Sequence, residues 1–131
     1  FNSDLASFNS SKKYDLITAM EVLEHIHDYV PIIKNIKNNL KEKGKFIGST
    51  INQTLSSYLF AILFAEKIIK LVPEKTHTWR DFLKPNNLKK QLLFNNFCNI
   101  NFQGVIYNPL TKNWKISENC NVNYMFSAEL K

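Results

Sequence analysis

The chain is short of glycine and has a single arginine. Its three glycines, Gly44, Gly48 and Gly104, lie far apart, so the sequence contains no glycine-rich loop of the kind that holds phosphates or dinucleotides. Arg80 is the only arginine among 17 basic residues, and lysines therefore supply almost all of the net charge of +6. Because arginine makes the bidentate contacts with guanine and phosphate, we expect no nucleic-acid partner. Binding to an anionic surface, or a biased amino-acid composition, explains the excess of lysine better.

Cysteine is equally scarce. Cys98 and Cys120 are widely separated, and neither belongs to a Cys-x-x-Cys pair or to a zinc-type cluster. We therefore expect two reduced thiols in a cytoplasmic protein. With 131 residues, of which 44% are hydrophobic, the chain is long enough to form one domain with a moderate core.

Residues 14–25 combine an apolar run with acids and a histidine. Residues 16–20 show the pattern of a strand buried on both faces of a parallel sheet. Glu21, Glu24 and His25 follow at its carboxyl end, the edge where open α/β sheets bind ligands. If the chain turns helical there, the three side chains share one face and can hold a divalent cation or move a proton. The alternative, which this short pattern by itself favours, is a solvated acidic first turn.

The next segment predicts a helix and a second strand. Asp28 is a suitable N-cap, Pro31 fits the first turn, and Gly44 supplies the stop before a strand over residues 45–51. Strand, helix and strand in so few residues indicate a crossover with parallel strands.

The end of that second strand then falls on the same sheet edge as Glu21. Ser49, Thr50 and Asn52 lie there, and we expect Thr50 and Asn52 to line the same pocket as substrate-contacting residues.

Residues 55–72 are the most apolar part of the chain. In a helix, Phe60 and Leu63 share a stripe with Lys67 and Lys70, so the middle of the helix is apolar all round. Core packing explains this pattern, and so does partial insertion into an anionic membrane surface or contact with a lipid-tailed substrate. The apolar run is too short to cross a bilayer. In the loop that follows, His77 is a candidate catalytic base, although a lone loop histidine is more often structural.

The carboxyl-terminal third predicts one helix and two strands. Residues 85–97 have helical periodicity, while the segments around Phe102 and Phe126 alternate apolar and polar residues as strands do. Residues 111–121 form a hairpin-like excursion around Trp114, and the two strands that flank it would pair antiparallel.

Six segments of the sequence together resemble the ubiquinone-biosynthesis O-methyltransferases, which are class I enzymes dependent on S-adenosylmethionine. They are Tyr-Asp-Leu-Ile-Thr-Ala-Met-Glu-Val-Leu-Glu-His, Gly-Lys-Phe-Ile-Gly-Ser-Thr-Ile-Asn, Leu-Val-Pro-Glu-Lys-Thr-His-Thr-Trp, Phe-Leu-Lys-Pro, Tyr-Asn-Pro-Leu-Thr and Val-Asn-Tyr-Met. The resemblance implies methyl transfer from S-adenosylmethionine to a phenolic hydroxyl of a polyprenylated quinone precursor. It also implies that Met20 contacts the cofactor, that Glu21, Glu24 and His25 ligate Mg²⁺, and that the helix carrying Phe60 and Leu63 meets the membrane.

The same resemblance implies an α/β fold, and only half of it. The strands would be the fourth, fifth, sixth and seventh of a Rossmann-like sheet, in the spatial order fourth, fifth, seventh, sixth, with the seventh antiparallel. Residues 1–131 would be a single partial domain that lacks the glycine-rich cofactor-binding half, and the fourth strand would be an exposed edge.

Three functional hypotheses follow. The chain is the carboxyl-terminal part of a methyltransferase that is peripheral to the membrane and works with an amino-terminal half, which is either joined to it or separately encoded. Otherwise it is a non-catalytic remnant that serves as a membrane-contacting interaction module. A third hypothesis is a metal-binding fragment that uses Glu21, Glu24 and His25.

Overall fold

One mixed five-stranded sheet organises the protein. The structure is a computed structural model, and it describes residues 7–57, 82–108 and 110–131. In spatial order the strands are β1 (Tyr14–Met20), β2 (Leu40–Ile51), β5 (Asn123–Leu130), β3 (Phe97–Asn108) and β4 (Asn113–Ser117). β1 and β2 are parallel, and every other pair of neighbours is antiparallel. The strand order implied by the resemblance is confirmed, and the excursion around Trp114 adds β4 beside β3.

Helix α1 (Val30–Asn39) links the two parallel strands, but it does not end where the sequence predicted. It begins one residue later than expected, because the N-cap is Tyr29 and not Asp28; Asp28 lies just before the cap, where its Oδ1 accepts a hydrogen bond from the Val30 N–H at 3.1 Å. It ends at Asn39, because Leu40 already has extended backbone angles and starts β2. The prediction that Gly44 stops the helix is therefore wrong. Gly44 lies inside β2, where a Cβ would meet the Lys41 carbonyl oxygen at 2.8 Å.

The core lies between one face of the sheet and the helices. Alternate residues of β5 are buried, and they pack with Phe46 of β2, whose ring centroid lies 5.0 Å from that of Phe126. Helix α1 buries Ile33, and helix α2 (Pro85–Phe94) buries Leu88 and Leu92. The helical periodicity of residues 85–97 is confirmed except for its last turn, since β3 already begins at Phe97.

β1 lies at the edge of the sheet and is mostly exposed. Among its residues only Ala19 is buried, while Leu16 is 49% and Met20 46% exposed. The prediction of a strand buried on both faces is therefore wrong, and the prediction of an exposed apolar edge is confirmed. Within the described ranges, β1 has a hydrogen-bonded neighbour strand on one side only.

The segment for which membrane contact was predicted falls largely outside these ranges. Phe60, Leu63, Lys67, Lys70 and His77 all lie outside the described residues. In the part of the chain that the structure describes, no helix is long and apolar enough to span a bilayer.

Candidate functional site

A cavity of about 350 Å³ opens where β1 and β2 end. The strand register brings four strands to this edge, because Met20 pairs with Ser49 while Asn123 pairs with both Ile51 and Val105. The lining residues come from all five strands and from the turn after β1, and they are Met20, Glu21, Ser49, Val105, Trp114, Asn123, Tyr124 and Met125. Ligands bind at this edge in open α/β sheets.

The turn after β1 places Glu21 at the cavity. Glu21 has a positive φ of 52°, a conformation that costs a residue with a side chain about 1–3 kcal/mol and persists only where the surroundings fix it. Ser49 does so here: the Glu21 N–H donates to the Ser49 carbonyl oxygen and to its Oγ, both at 3.1 Å. These two hydrogen bonds fix the Glu21 backbone to β2, while the Glu21 side chain is exposed.

Glu24 occupies a different environment. It belongs to a short 3-10 helix (Leu23–His25) and is 2% exposed, and its Oε2 accepts a hydrogen bond from the fully buried Thr50 Oγ1 at 2.9 Å. The pKa of Glu24 is raised from 4.5 to about 7, chiefly by burial and also by the neighbouring Glu21 carboxyl group, while hydrogen bonds from the backbone and from the Thr50 hydroxyl oppose the shift. Glu24 is therefore a core carboxyl group that titrates near neutral pH.

The three residues expected to ligate Mg²⁺ do not form one site. Glu21 and His25 are exposed, whereas Glu24 is buried with one oxygen bonded to Thr50. No group of three or more histidine, cysteine or acidic side chains that could hold a metal ion exists among the described residues. This arrangement does not fit a magnesium site with three protein ligands. The positive φ of Glu21 explains the failure, because it interrupts the helix that would have aligned the three side chains.

The expected substrate-lining residues are also engaged elsewhere. Thr50 is fully buried against Glu24, and Asn52 is 7% exposed with its Nδ2 donating to the Cys120 carbonyl oxygen at 2.8 Å. Asn52 also donates its N–H to the Val122 carbonyl oxygen at 2.8 Å. Neither Thr50 nor Asn52 lines the cavity. Asn52 instead fastens the end of β2 to the loop that precedes β5.

The packed side of the site is closed by a tyrosine. The buried Tyr124 donates its hydroxyl to the Leu83 carbonyl oxygen at 2.9 Å, and the Leu83 N–H donates to the Ile51 carbonyl oxygen at 3.0 Å. Burial raises the pKa of Tyr124, with Tyr29 and Cys120 adding to the shift. This phenol therefore stays protonated and structural.

Sequence reasoning missed the far wall of the cavity, which Val105, Trp114 and Met125 supply. Trp114 was the available signal, since it is a large apolar side chain in a polar hairpin. Val105 and Met125 carried no such signal, because alternation in a strand does not tell which face lines a cavity.

Comparison with known proteins identifies the family. A family described as methyltransferase domain matches residues 2–100. The chain belongs to this family. It is 39% identical over 120 residues to the ubiquinone biosynthesis O-methyltransferase of Vibrio vulnificus, covering 92% of this chain and 51% of that protein. Over 117 residues it is 39% identical to the protein of the same name from Bartonella bacilliformis, covering 89% and 47% respectively. The chain thus spans about half the length of these relatives.

Solved structures show the fold. A methyltransferase of Thermotoga maritima, dependent on S-adenosylmethionine, matches with a TM-score of 0.72 and 11% identity, covering 98% of this chain and 62% of that one. Magnesium protoporphyrin IX methyltransferase from Synechocystis, solved with bound S-adenosylhomocysteine, matches with a TM-score of 0.61 and 20% identity, covering 98% and 49%. The predicted class I methyltransferase fold is confirmed.

Proposed function

We propose that this chain is the carboxyl-terminal part of an O-methyltransferase that transfers a methyl group from S-adenosylmethionine to a phenolic hydroxyl of a polyprenylated ubiquinone precursor. The observation that carries the proposal is the 39% identity over 92% of the chain to a ubiquinone biosynthesis O-methyltransferase. The cavity at the carboxyl ends of β1 and β2 supports it, because Met20, the expected cofactor contact, lines that cavity.

The chemistry that this chain contributes is positioning and proton removal. When bound, S-adenosylmethionine supplies an electrophilic methyl group. A phenolic oxygen attacks such a group more readily as its proton leaves, so a nearby base accelerates the reaction. Glu21 is the acidic side chain of the cavity lining, and its carboxylate is the group we propose to accept the phenolic proton. Met20 and Met125 provide apolar walls beside the reacting oxygen. No step is assigned to Mg²⁺, because the residues expected to hold it do not converge.

Activity requires an amino-terminal half, in our proposal, whether joined to this chain or separately encoded. The chain spans about half of its relatives and has no glycine-rich loop to approach the cofactor. β1 offers an edge for another parallel strand, and the exposed Leu16 and Met20 offer an apolar surface beside it. A polypeptide that adds a strand to β1 would complete the domain.

Complementation tests the proposal directly. The chain is co-expressed with the amino-terminal half of the Vibrio vulnificus relative, and methyl transfer from radiolabelled S-adenosylmethionine to catechol is measured. We expect turnover from the pair and none from either part alone. Glu21→Gln should lower turnover at least about tenfold without dissociating the pair, since general-base contributions are typically 10²–10⁴. A stable but inactive pair would favour the non-catalytic remnant.

We further propose that the protein attaches reversibly to an anionic membrane surface through residues 55–72. The support is the net charge of +6 and the apolar stripe with Phe60 and Leu63 beside Lys67 and Lys70. Burying each apolar side chain in lipid contributes roughly 1.5–3 kcal/mol, and each lysine about 1 kcal/mol.

A paired-variant experiment tests the attachment. Phe60→Ser with Leu63→Ser should weaken binding to vesicles of phosphatidylserine and phosphatidylcholine at least about tenfold, which corresponds to about 1.4 kcal/mol. Leu93→Ser with Phe94→Ser is the matched control, because these two α2 side chains are 54% and 83% exposed. Equal losses in both pairs, or unfolding of the first, would contradict the proposal.

A further inference from the structure

The floor of the sheet-edge cavity is built by neighbouring residues of three strands. Met20 of β1 pairs with Ser49 of β2, and Ser49 pairs with Met125 of β5. Paired residues in a sheet project their side chains to the same face. The two thioethers and the hydroxyl therefore share the face opposite the one that buries Phe126. Thioethers adapt to irregular shapes and make favourable contacts with aromatic rings.

The far wall of the cavity is an exposed indole. Trp114 is 61% exposed in β4, a strand whose other residues include Asn113, Lys115 and Ser117. β4 is the outermost strand of the sheet and pairs only with β3 among the described residues. Val105 of β3 also lines the cavity and continues its apolar wall. An indole held at a cavity wall offers a flat surface on which another ring can stack.

The cavity lining also has a polar part. Glu21 and Ser49 belong to it, and the Glu21 N–H donates a hydrogen bond to the Ser49 Oγ at 3.1 Å. A carboxylate accepts hydrogen bonds from hydroxyl groups and repels anions. A cavity lined by both an indole and a hydrogen-bond acceptor matches an aromatic ring that carries hydroxyl groups.

The volume is also suitable. An apolar cavity of about 150 Å³ is large enough for benzene, and ligand pockets commonly measure about 300–1,000 Å³. At about 350 Å³ this cavity holds one ring and leaves space for a substituent. We infer that the cavity is the site for the phenolic ring of the substrate, with Trp114 as its stacking surface and Glu21 beside its hydroxyl groups. This inference rests on the proposed function, whose acceptor it locates.

The test uses the whole chain and catechol as the probe. In a Trp79→Phe background Trp114 is the only indole, so the fluorescence comes from the residue proposed as the stacking surface. We expect saturable quenching by catechol and none by cyclohexane-1,2-diol, which has the same two hydroxyl groups without an aromatic ring. Calorimetry should show that Trp114→Leu weakens catechol binding about tenfold, because an aromatic pair contributes up to about that factor beyond its buried area. Trp114→Phe keeps an aromatic ring and should change the affinity by less than about threefold.

Phe94→Ala is the matched control, since this ring is 83% exposed on α2, away from the cavity. It should leave catechol affinity unchanged, and circular dichroism checks that every variant folds. Equal affinity for the two diols, no binding of catechol, or unchanged binding in Trp114→Leu would overturn the inference. Catechol binding without methyl transfer in the complemented pair would overturn the proposed function and leave the ring site standing.

Discussion

Glu24→Gln should stabilise this protein at alkaline pH. The Glu24 side chain is 2% exposed and has a pKa raised from 4.5 to about 7, chiefly by burial. The folded chain therefore binds a proton between these two pH values that the unfolded chain has released. The contribution of Glu24 to the stability of the fold is therefore fully present below pH 4.5 and is lost as the pH rises through about 7. Glutamine keeps the shape and the acceptor oxygen for Thr50 but does not titrate.

The size of the effect follows from the two pKa values. Linkage between an unfolded pKa of 4.5 and a folded pKa of about 7 gives a loss of roughly 2.5 kcal/mol between pH 5 and pH 8. Urea unfolding of the wild type and of Glu24→Gln, each measured at both pH values, gives the difference. From pH 5 to pH 8, we expect the free energy of unfolding of Glu24→Gln to rise by roughly 2.5 kcal/mol relative to that of the wild type.

Glu42→Gln is the control for the charge change, because Glu42 is exposed on β2. Its stability should follow that of the wild type at both pH values. If the free energy of unfolding of Glu24→Gln changes with pH as that of the wild type does, Glu24 is ionised in the folded protein. The assignment of a neutral core carboxyl group would then be wrong.

Three further predictions concern the same region. Thr50→Val, which removes the hydroxyl that donates to Glu24, should cost about 1–3 kcal/mol in urea unfolding at pH 8, while Thr50→Ser should retain most of that stability. Calorimetric titration of the isolated chain should show S-adenosylmethionine binding weaker than micromolar, because the glycine-rich loop is missing from this sequence. Millimolar Mg²⁺ should leave the thermal unfolding of the wild type and of Glu24→Gln unchanged, whereas a shift confined to the wild type would restore the metal site.

The strand pattern of the fold could be predicted from local sequence. In β5 the alternation of Tyr124, Phe126 and Ala128 with polar or half-buried neighbours sets which face enters the core. β1 shows the limit of such reasoning. Its continuous apolar run predicts burial on two faces, but burial depends on what lies beside the strand. At the edge of this sheet, Leu16 and Met20 are exposed.

Glycine and turn geometry account for the local errors. Gly44 follows a helical pattern and so predicts a C-cap, yet the chain becomes extended four residues earlier, at Leu40. At Gly44 itself, a Cβ would lie 2.8 Å from the Lys41 carbonyl oxygen and 3.1 Å from the Tyr14 carbonyl oxygen, so this position in β2 requires glycine. Only the three-dimensional pairing of β1 with β2 shows this need.

The two acids that follow β1 differ in exposure, and each is held by one of two adjacent residues of β2. Side chains of successive strand residues point to opposite faces, so Ser49 faces the cavity and Thr50 faces the core. Ser49 fixes the backbone of Glu21, and Thr50 fixes the carboxyl group of Glu24. The spacing Glu-x-x-Glu-His therefore leaves Glu21 exposed and Glu24 buried, although the two carboxyl groups remain close enough for Glu21 to raise the pKa of Glu24. The Glu21 side chain is exposed at the cavity, while that of Glu24 is buried. In our proposal Glu21 is therefore the group that accepts the proton in this cavity, and the buried Glu24 carboxyl group interacts with it.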